Sequence, residues 1–247
     1  MDTKRKIIVL TRHGDTPEVD GERQDAVTDK SVRKLYDYTG SPLASFVREN
    51  NVSPQKVFLR HSDKKRTFYT GEAILAGALG FKPIPQSQDD LDKLDFSGVD
   101  IQEHTGLGYE GVLYNATELN KDFEGYLIRW LSDPQATEYE GVKITPYNQV
   151  IRTGRKTLVD ALGLAINGEK DLGVLASHAS VVEALTISAV NSGRKSPVKN
   201  FNEIGGLFDR EGFATILLDQ KEKSSLYEAR LEREGKNYKM DLSSLGF

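Results

Sequence analysis

The sequence predicts an α/β fold: a three-layer α/β/α sandwich with a mostly parallel central sheet, built as one domain over residues 1–247. Three observations predict it. Residues 7–10 (Ile-Ile-Val-Leu), 56–59 (Lys-Val-Phe-Leu) and 172–176 (Leu-Gly-Val-Leu-Ala) are short apolar runs that read as buried strands. Each run is followed by a polar turn carrying Arg or His and then by a helical pattern, the alternation that lays parallel strands side by side. The chain is 38% hydrophobic and 28% charged, enough for a real core beneath a solvated surface.

The first strand ends in Thr11-Arg12-His13-Gly14-Asp15-Thr16. Ligands of open α/β sheets sit beyond the carboxyl ends of strands, so a guanidinium, an imidazole and a glycine stand where ligand chemistry happens. Gly14 permits a close approach or a positive φ. Asp15 or Thr16 is suited to cap a helix with Pro17 at its first position. Residues 18–31 are polar and read as a loop that walls a pocket. Val32, Leu35, Tyr36, Leu43, Phe46 and Val47 recur at helical spacing, broken at Gly40-Ser41-Pro42, which predicts two helical pieces.

The second strand leads into Arg60-His61-Ser62-Asp63-Lys64-Lys65-Arg66 and a helix over 63–79, capped by Ser62 or Asp63, with Phe68, Ile74, Leu75 and Ala78 inward. Arg66 falls in its first turn. There the helix dipole opposes a cation by a few tenths to about 1 kcal/mol, and a bound anion reverses that sign; without an anion Arg66 is a surface arginine. Residues 84–85 read as a short edge strand. Residues 99–145 lack strand signals, contain a helical piece at 119–131 with the single tryptophan, Trp130, and read as an inserted cap segment. A helix follows over 147–164, ended by Asn167-Gly168. The third strand ends in Ser177-His178-Ala179-Ser180 and precedes an almost wholly apolar, hence buried, helix over 181–191. Residues 213–218 and 226–231 read as a β-hairpin.

Composition excludes several classes. There is no cysteine, so disulfides, thiolate zinc sites and cysteine nucleophiles are out. A net charge of −4 gives no bulk attraction to nucleic acid or anionic membrane, so any anion site must be local. No stretch approaches a membrane span, and the first apolar run is too short for a signal peptide, so a cytoplasmic location is expected. No acidic cluster suggests a metal, and no cofactor is implied. Oligomeric state stays open.

If the three turns share one sheet edge, Arg12, His13, Arg66 and His178 converge. Two arginines and two histidines suit an anion, and phosphate best: the guanidinium fork matches its oxygens, and a neutral imidazole is a nucleophile near pH 7. With these motifs in order the chain resembles the histidine phosphatase superfamily, on its phosphoglycerate mutase-like branch. Arg12-His13-Gly14 matches the opening motif. Ser62-x-x-x-Arg66 with Thr70-Gly71 is similar to the second, and Ser177-His178 to the late one. The resemblance implies a phosphoglycerate mutase-like fold and a phosphatase cleaving a phosphomonoester through a phosphohistidine. In it His13 is the nucleophile, Arg12 and Arg66 clamp the phosphoryl oxygens, and His178 contacts the phosphate. Thr16, Ser62 and the Ala179 N–H are expected as further donors.

The chain departs from that pattern at the proton donor. Leu91-Asp92-Lys93-Leu94-Asp95-Phe96-Ser97-Gly98 matches the stretch that carries the family's glutamate, and Lys93 holds the glutamate position. Asp95, on the same face if the stretch is extended, is the candidate catalytic acid; Glu103 is another. Lys93 is either a solvated lysine or a phosphate-binding one. A mutase-type phosphoryl transfer and a non-catalytic phosphate-binding protein are the competing readings. His61 and His104 read as ordinary structural histidines.

Overall fold

The computed structural model describes residues 4–108, 123–221 and 226–247. Strand β1 (Arg5–Arg12) lies at the centre of a seven-stranded sheet. Its side chains alternate between two cores: Ile7 and Val9 face one, Ile8 and Leu10 the other. The other strands are β2 (Val57–His61), β3 (Asp100–Glu103), β4 (Leu172–Ser177), β5 (Phe213–Gln220), β6 (Tyr227–Arg233) and β7 (Lys236–Met240). The order across the sheet is β7-β6-β5-β1-β4-β2-β3. Strands β1, β4, β2 and β3 run parallel, whereas β5, β6 and β7 alternate antiparallel beyond β1.

Helices α1 (Asp29–Lys34), α2 (Leu43–Glu49) and α3 (Lys65–Leu79) cover the Ile7 face. Helices α4 (Tyr147–Ile166) and α5 (Val181–Ser192) cover the Ile8 face. These are the three layers expected. Between α1 and α2 the chain makes a π-helical turn, Leu35–Gly40, pressed against α3. A Cβ on Gly77 would stand 2.5 Å from the Tyr36 carbonyl oxygen, so the two backbones meet at a distance only glycine allows.

The structure corrects several expectations. The expected segments at 213–218 and 226–231 do fall in paired strands, β5 and β6, but β5 adds to β1 and a third strand, β7, follows, so the sheet is mixed. Residues 84–85 are not a strand; the edge is β3, inside the segment read as strandless. At four residues, three of them polar, β3 is too short to show a periodicity. No helix starts at Pro17. Instead Glu18–Val19 pairs with Glu22–Arg23 around Asp20-Gly21, both at positive φ.

The N-cap of α3 is Lys64, with no side-chain cap bond. The Ser62 hydroxyl bonds His178 and Thr67 and accepts only the N–H of Lys64 itself, at 3.2 Å, and Asp63 is paired with Lys64. Asp25, from the 18–31 loop, instead accepts the Lys65 and Arg66 N–H groups. Within 99–145, the Phe123–Ser132 helix carries the buried Trp130 against Tyr147, with rings 4.9 Å apart, and its Nε1 donates to the Thr145 carbonyl. Residues 119–122 of the expected helix and 222–225 of the expected hairpin lie outside the described residues. Among the described residues no helix is long and apolar enough to cross a membrane.

Candidate active site

Parallel pairing brings the three turns to one level: Arg12 is in register with Ser177 on β4, and His61 with Ala176. The His13 N–H donates to the Ser177 carbonyl at 2.8 Å. The rings of His13 and His178 meet edge to face, centroids 5.2 Å apart. His13 Nδ1 lies 2.8 Å from the Gly14 carbonyl. A carbonyl only accepts, so Nδ1 carries the proton and Nε2 keeps its lone pair.

The motif backbone is fixed around that bond. Gly14 N–H donates to Thr70 Oγ1 at 3.0 Å and Asp15 N–H to Ser31 Oγ at 2.7 Å. A Cβ on Gly14 would lie 2.9 Å from that of Ser31, so this glycine serves close approach, not a positive φ. Burial, joined by the charges of Arg66, Arg12 and Arg210, lowers the pKa of His13 to about 3. The ring is therefore neutral at pH 7.

His178 is fully buried, and its Nε2 is 2.8 Å from Ser62 Oγ. Burial first, then His13, Arg66, Lys64 and Arg12, hold it well below the ordinary imidazole value. Arg12 donates its N–H to the Gly212 carbonyl at 3.0 Å and Nη1 to the Phe208 carbonyl at 2.6 Å. Arg66 Nη1 stands 3.4 Å from Asp25. Arg12 Nε, Arg66 Nε and Thr16 Oγ1 are buried and have no hydrogen-bond partner among the described residues. Buried donors of this kind require an acceptor, and two guanidinium edges with a hydroxyl match a phosphoryl group.

The structure thus brings Arg12, His13, Arg66 and His178 into one electrostatic cluster. It treats the remaining candidates differently. Ser62, expected to bind substrate, is wholly buried and holds His178 and Thr67. Ala179 lies in the turn between His178 and Ser180, which is at φ +67°. Residues 92–98 are a turn and not an extended stretch, so the shared face expected for Lys93 and Asp95 does not form. Lys93 is exposed and paired with Asp90. Asp95 is also exposed, and its carboxylate accepts the Ser97 N–H at 2.8 Å, which holds it below the usual carboxylate range and makes it a poor proton donor. Glu103 ends β3 opposite His61 and is exposed. His61 donates Nδ1 to the Ser62 carbonyl, and His104 Nδ1 accepts the Gly106 N–H, both local uses.

Sequence reasoning missed the 208–212 loop. Because β5 runs antiparallel to β1, the residues just before it lie beside the carboxyl end of β1. There Arg210 Nη1 pairs with Asp15 at 2.8 Å, and Glu211 accepts from Ser31 Oγ and Lys34 Nζ. The missed signal was the pairing of β5 with β1. Among the described residues no group of three His, Cys, Asp or Glu side chains could hold a metal ion.

Fold and site together define an α/β protein with a histidine-and-arginine cluster at the carboxyl ends of its parallel strands. No family model matches the sequence, and no curated protein does. Solved structures do. A mycobacterial hydrolase, "hydrolase 1", aligns over 94% of this chain and 99% of its own, at 16% identity and a TM-score of 0.50. A mycobacterial glucosyl-3-phosphoglycerate phosphatase is 16% identical, covers 92% of this chain and 97% of its own, and gives a TM-score of 0.49. A phosphoglycerate mutase from Bacillus anthracis str. Sterne is 14% identical, with 99% and 96% covered and a TM-score of 0.48. At these identities the likeness is one of fold alone: a mixed seven-stranded sheet, parallel in its core and covered by helices on both faces.

Proposed function

We propose that the protein is a phosphatase that hydrolyses a small phosphomonoester through a phosphohistidine on His13. The Nδ1–H bond of His13 to the Gly14 carbonyl carries this reading, because it leaves Nε2 deprotonated beside two arginines with unpartnered buried Nε groups. In the first step the Nε2 lone pair attacks phosphorus, the P–N bond forms, and the P–O bond to the leaving alcohol breaks. Arg12, Arg66 and Thr16 neutralise and hold the phosphoryl oxygens, with His178 and the Ala179 N–H beside them. In the second step water attacks phosphorus, the P–N bond breaks, and phosphate leaves with the proton balance restored by solvent. Positioning and charge neutralisation supply most of such catalysis.

With Lys93 and Asp95 both on an exposed turn, no carboxyl at those two positions protonates the leaving oxygen. A general acid is worth about 10²–10⁴ in rate, so esters with good leaving groups are the favoured substrates. The same observation favours a phosphate-binding protein as the second reading.

Hydrolysis of p-nitrophenyl phosphate across pH 4 to 8 by the wild type and by His13→Ala tests the proposal. Activity in the wild type, lost in the variant, with an acid-labile phosphoprotein trapped in a quench, is the expected result. No hydrolysis at any pH, with inorganic phosphate still bound, leaves the binding protein.

A further inference from the structure

Phe208 is held on three sides. Its N–H donates to Glu183 Oε1 at 2.9 Å, its carbonyl accepts Arg12 Nη1 at 2.6 Å, and the Arg233 guanidinium lies 3.5 Å from its ring centroid. Arg233 is 4% exposed and belongs to β6, two strands away from β1. Its Nη1 donates to the Ile204 and Gly206 carbonyls at 2.9 and 2.7 Å, and its Nη2 to the Leu207 carbonyl at 2.9 Å. Gly205 and Gly206 both have positive φ, at +89° and +88°. Two successive left-handed residues curl the backbone, and three carbonyls of this stretch converge on one guanidinium.

The loop beyond this anchor reaches the motif residues. The Gly212 carbonyl accepts the Arg12 N–H, the Glu211 N–H faces the His13 carbonyl at 3.4 Å, and Arg210 pairs with Asp15. Arg12 thus depends for its direction on a loop that Arg233 pins from behind. Glu183, also fully buried, grips the same residue and lies within the field of Arg12 and Arg233.

We infer that Arg233 is a positioning residue for phosphoryl binding: by fixing Phe208 it aims the Arg12 guanidinium. This deepens the phosphatase reading and rests on it. Arg233 touches no substrate and acts only through the Phe208 carbonyl. A lysine keeps the charge but has neither the planar face for the Phe208 ring nor the fork that meets three carbonyls.

The test is a double-substitution cycle in the full chain: Arg233→Lys, Arg12→Lys and the pair, each read as kcat/KM for p-nitrophenyl phosphate and as the dissociation constant for inorganic phosphate. Misplacing a clamp by about 1 Å costs up to about 100-fold, so Arg233→Lys should lower kcat/KM by about 10- to 100-fold and weaken phosphate in parallel. In the Arg12→Lys background the same change should cost less than about twofold, since the residue it aims is gone. An equal factor in both backgrounds overturns the inference and leaves Arg233 a purely structural residue.

Should Arg233→Lys fail to fold, Phe208→Leu removes the ring beneath the guanidinium and keeps both backbone bonds; the same pattern is expected. Guanidinium ¹⁵N NMR separates this inference from the activity. The Arg12 Nη signals should be slowly exchanging in the wild type and averaged in Arg233→Lys. Unchanged Arg12 signals refute the positioning role even if the protein hydrolyses phosphate esters; changed signals without hydrolysis refute the phosphatase alone.

Discussion

Acid should destabilise this protein through His13, and the size of the effect follows from the site. An unfolded histidine titrates near 6.5, and in the fold burial and the neighbouring guanidiniums lower His13 to about 3. Between those values the unfolded chain binds a proton that the native state refuses, so stability falls as pH falls. Taking about 1.36 kcal/mol per unit, lowering pH from 7 to 4 costs about 3 kcal/mol from this residue. That is a large share of the 5–15 kcal/mol typical of a domain.

The assay is urea unfolding at pH 7 and pH 4 of the wild type and of His13→Asn, which keeps a polar group but does not titrate. Carboxylates titrating over the same range contribute to both proteins and cancel in the difference. The wild type should lose about 3 kcal/mol more than the variant. His178 lies 5.2 Å from His13 and is depressed partly by it, so relief of His178 in the variant adds to that gap. Identical losses in the two proteins would show that His13 is not held neutral, and the argument for its nucleophilic nitrogen would fall with it. The kinetic counterpart is an acid limb of kcat/KM well below pH 6.5.

Three further outcomes follow from particular contacts. Gly77→Ala places a methyl 2.5 Å from the Tyr36 carbonyl and 2.8 Å from the Ser41 nitrogen, and should cost about 1–3 kcal/mol or more in urea unfolding. Ser62→Ala removes the partner of His178 Nε2; kcat should fall about tenfold, and the unmet buried ring nitrogen should cost about 1–3 kcal/mol. Glu72, 5% exposed, has a carboxyl pushed up to about 8 by burial and by Asp92. Its native state holds a proton that the unfolded chain releases near 4.5, so stability falls as pH rises from 4.5 to 8. Glu72→Gln should therefore raise Tm at pH 8, by a stability difference of order 2–4 kcal/mol, and leave it nearly unchanged at pH 4.5.

Which parts of this design are legible in the chain follows from how local their causes are. The strands at 7–10, 57–59 and 172–176 are visible because burial on both faces demands unbroken apolar residues. The three motif turns are visible because parallel strands deliver their carboxyl ends to one edge. His13, Arg12, Arg66 and His178 need only that rule to be brought together.

What escapes the sequence depends on contacts between distant segments. β3 is four residues recruited by the open side of β2, and no pattern within them announces it. The cap of α3 comes from Asp25, forty residues upstream of Lys65, while the local candidate Ser62 reaches only the Lys64 N–H and turns its hydroxyl to His178 at the end of the neighbouring strand. Asp95 and Lys93 fail as a pair because residues 92–98 turn instead of extending, so a matching sequence position does not become a matching place in space. Arg210 and Arg233 are brought to the neighbourhood of the site by a single topological fact, the antiparallel docking of β5 on β1, while Glu183 meets them from α5. Once that pairing is known, the residues before 213 must lie beside His13. Reading the tail as an isolated hairpin hid the loop that orients the first arginine of the site.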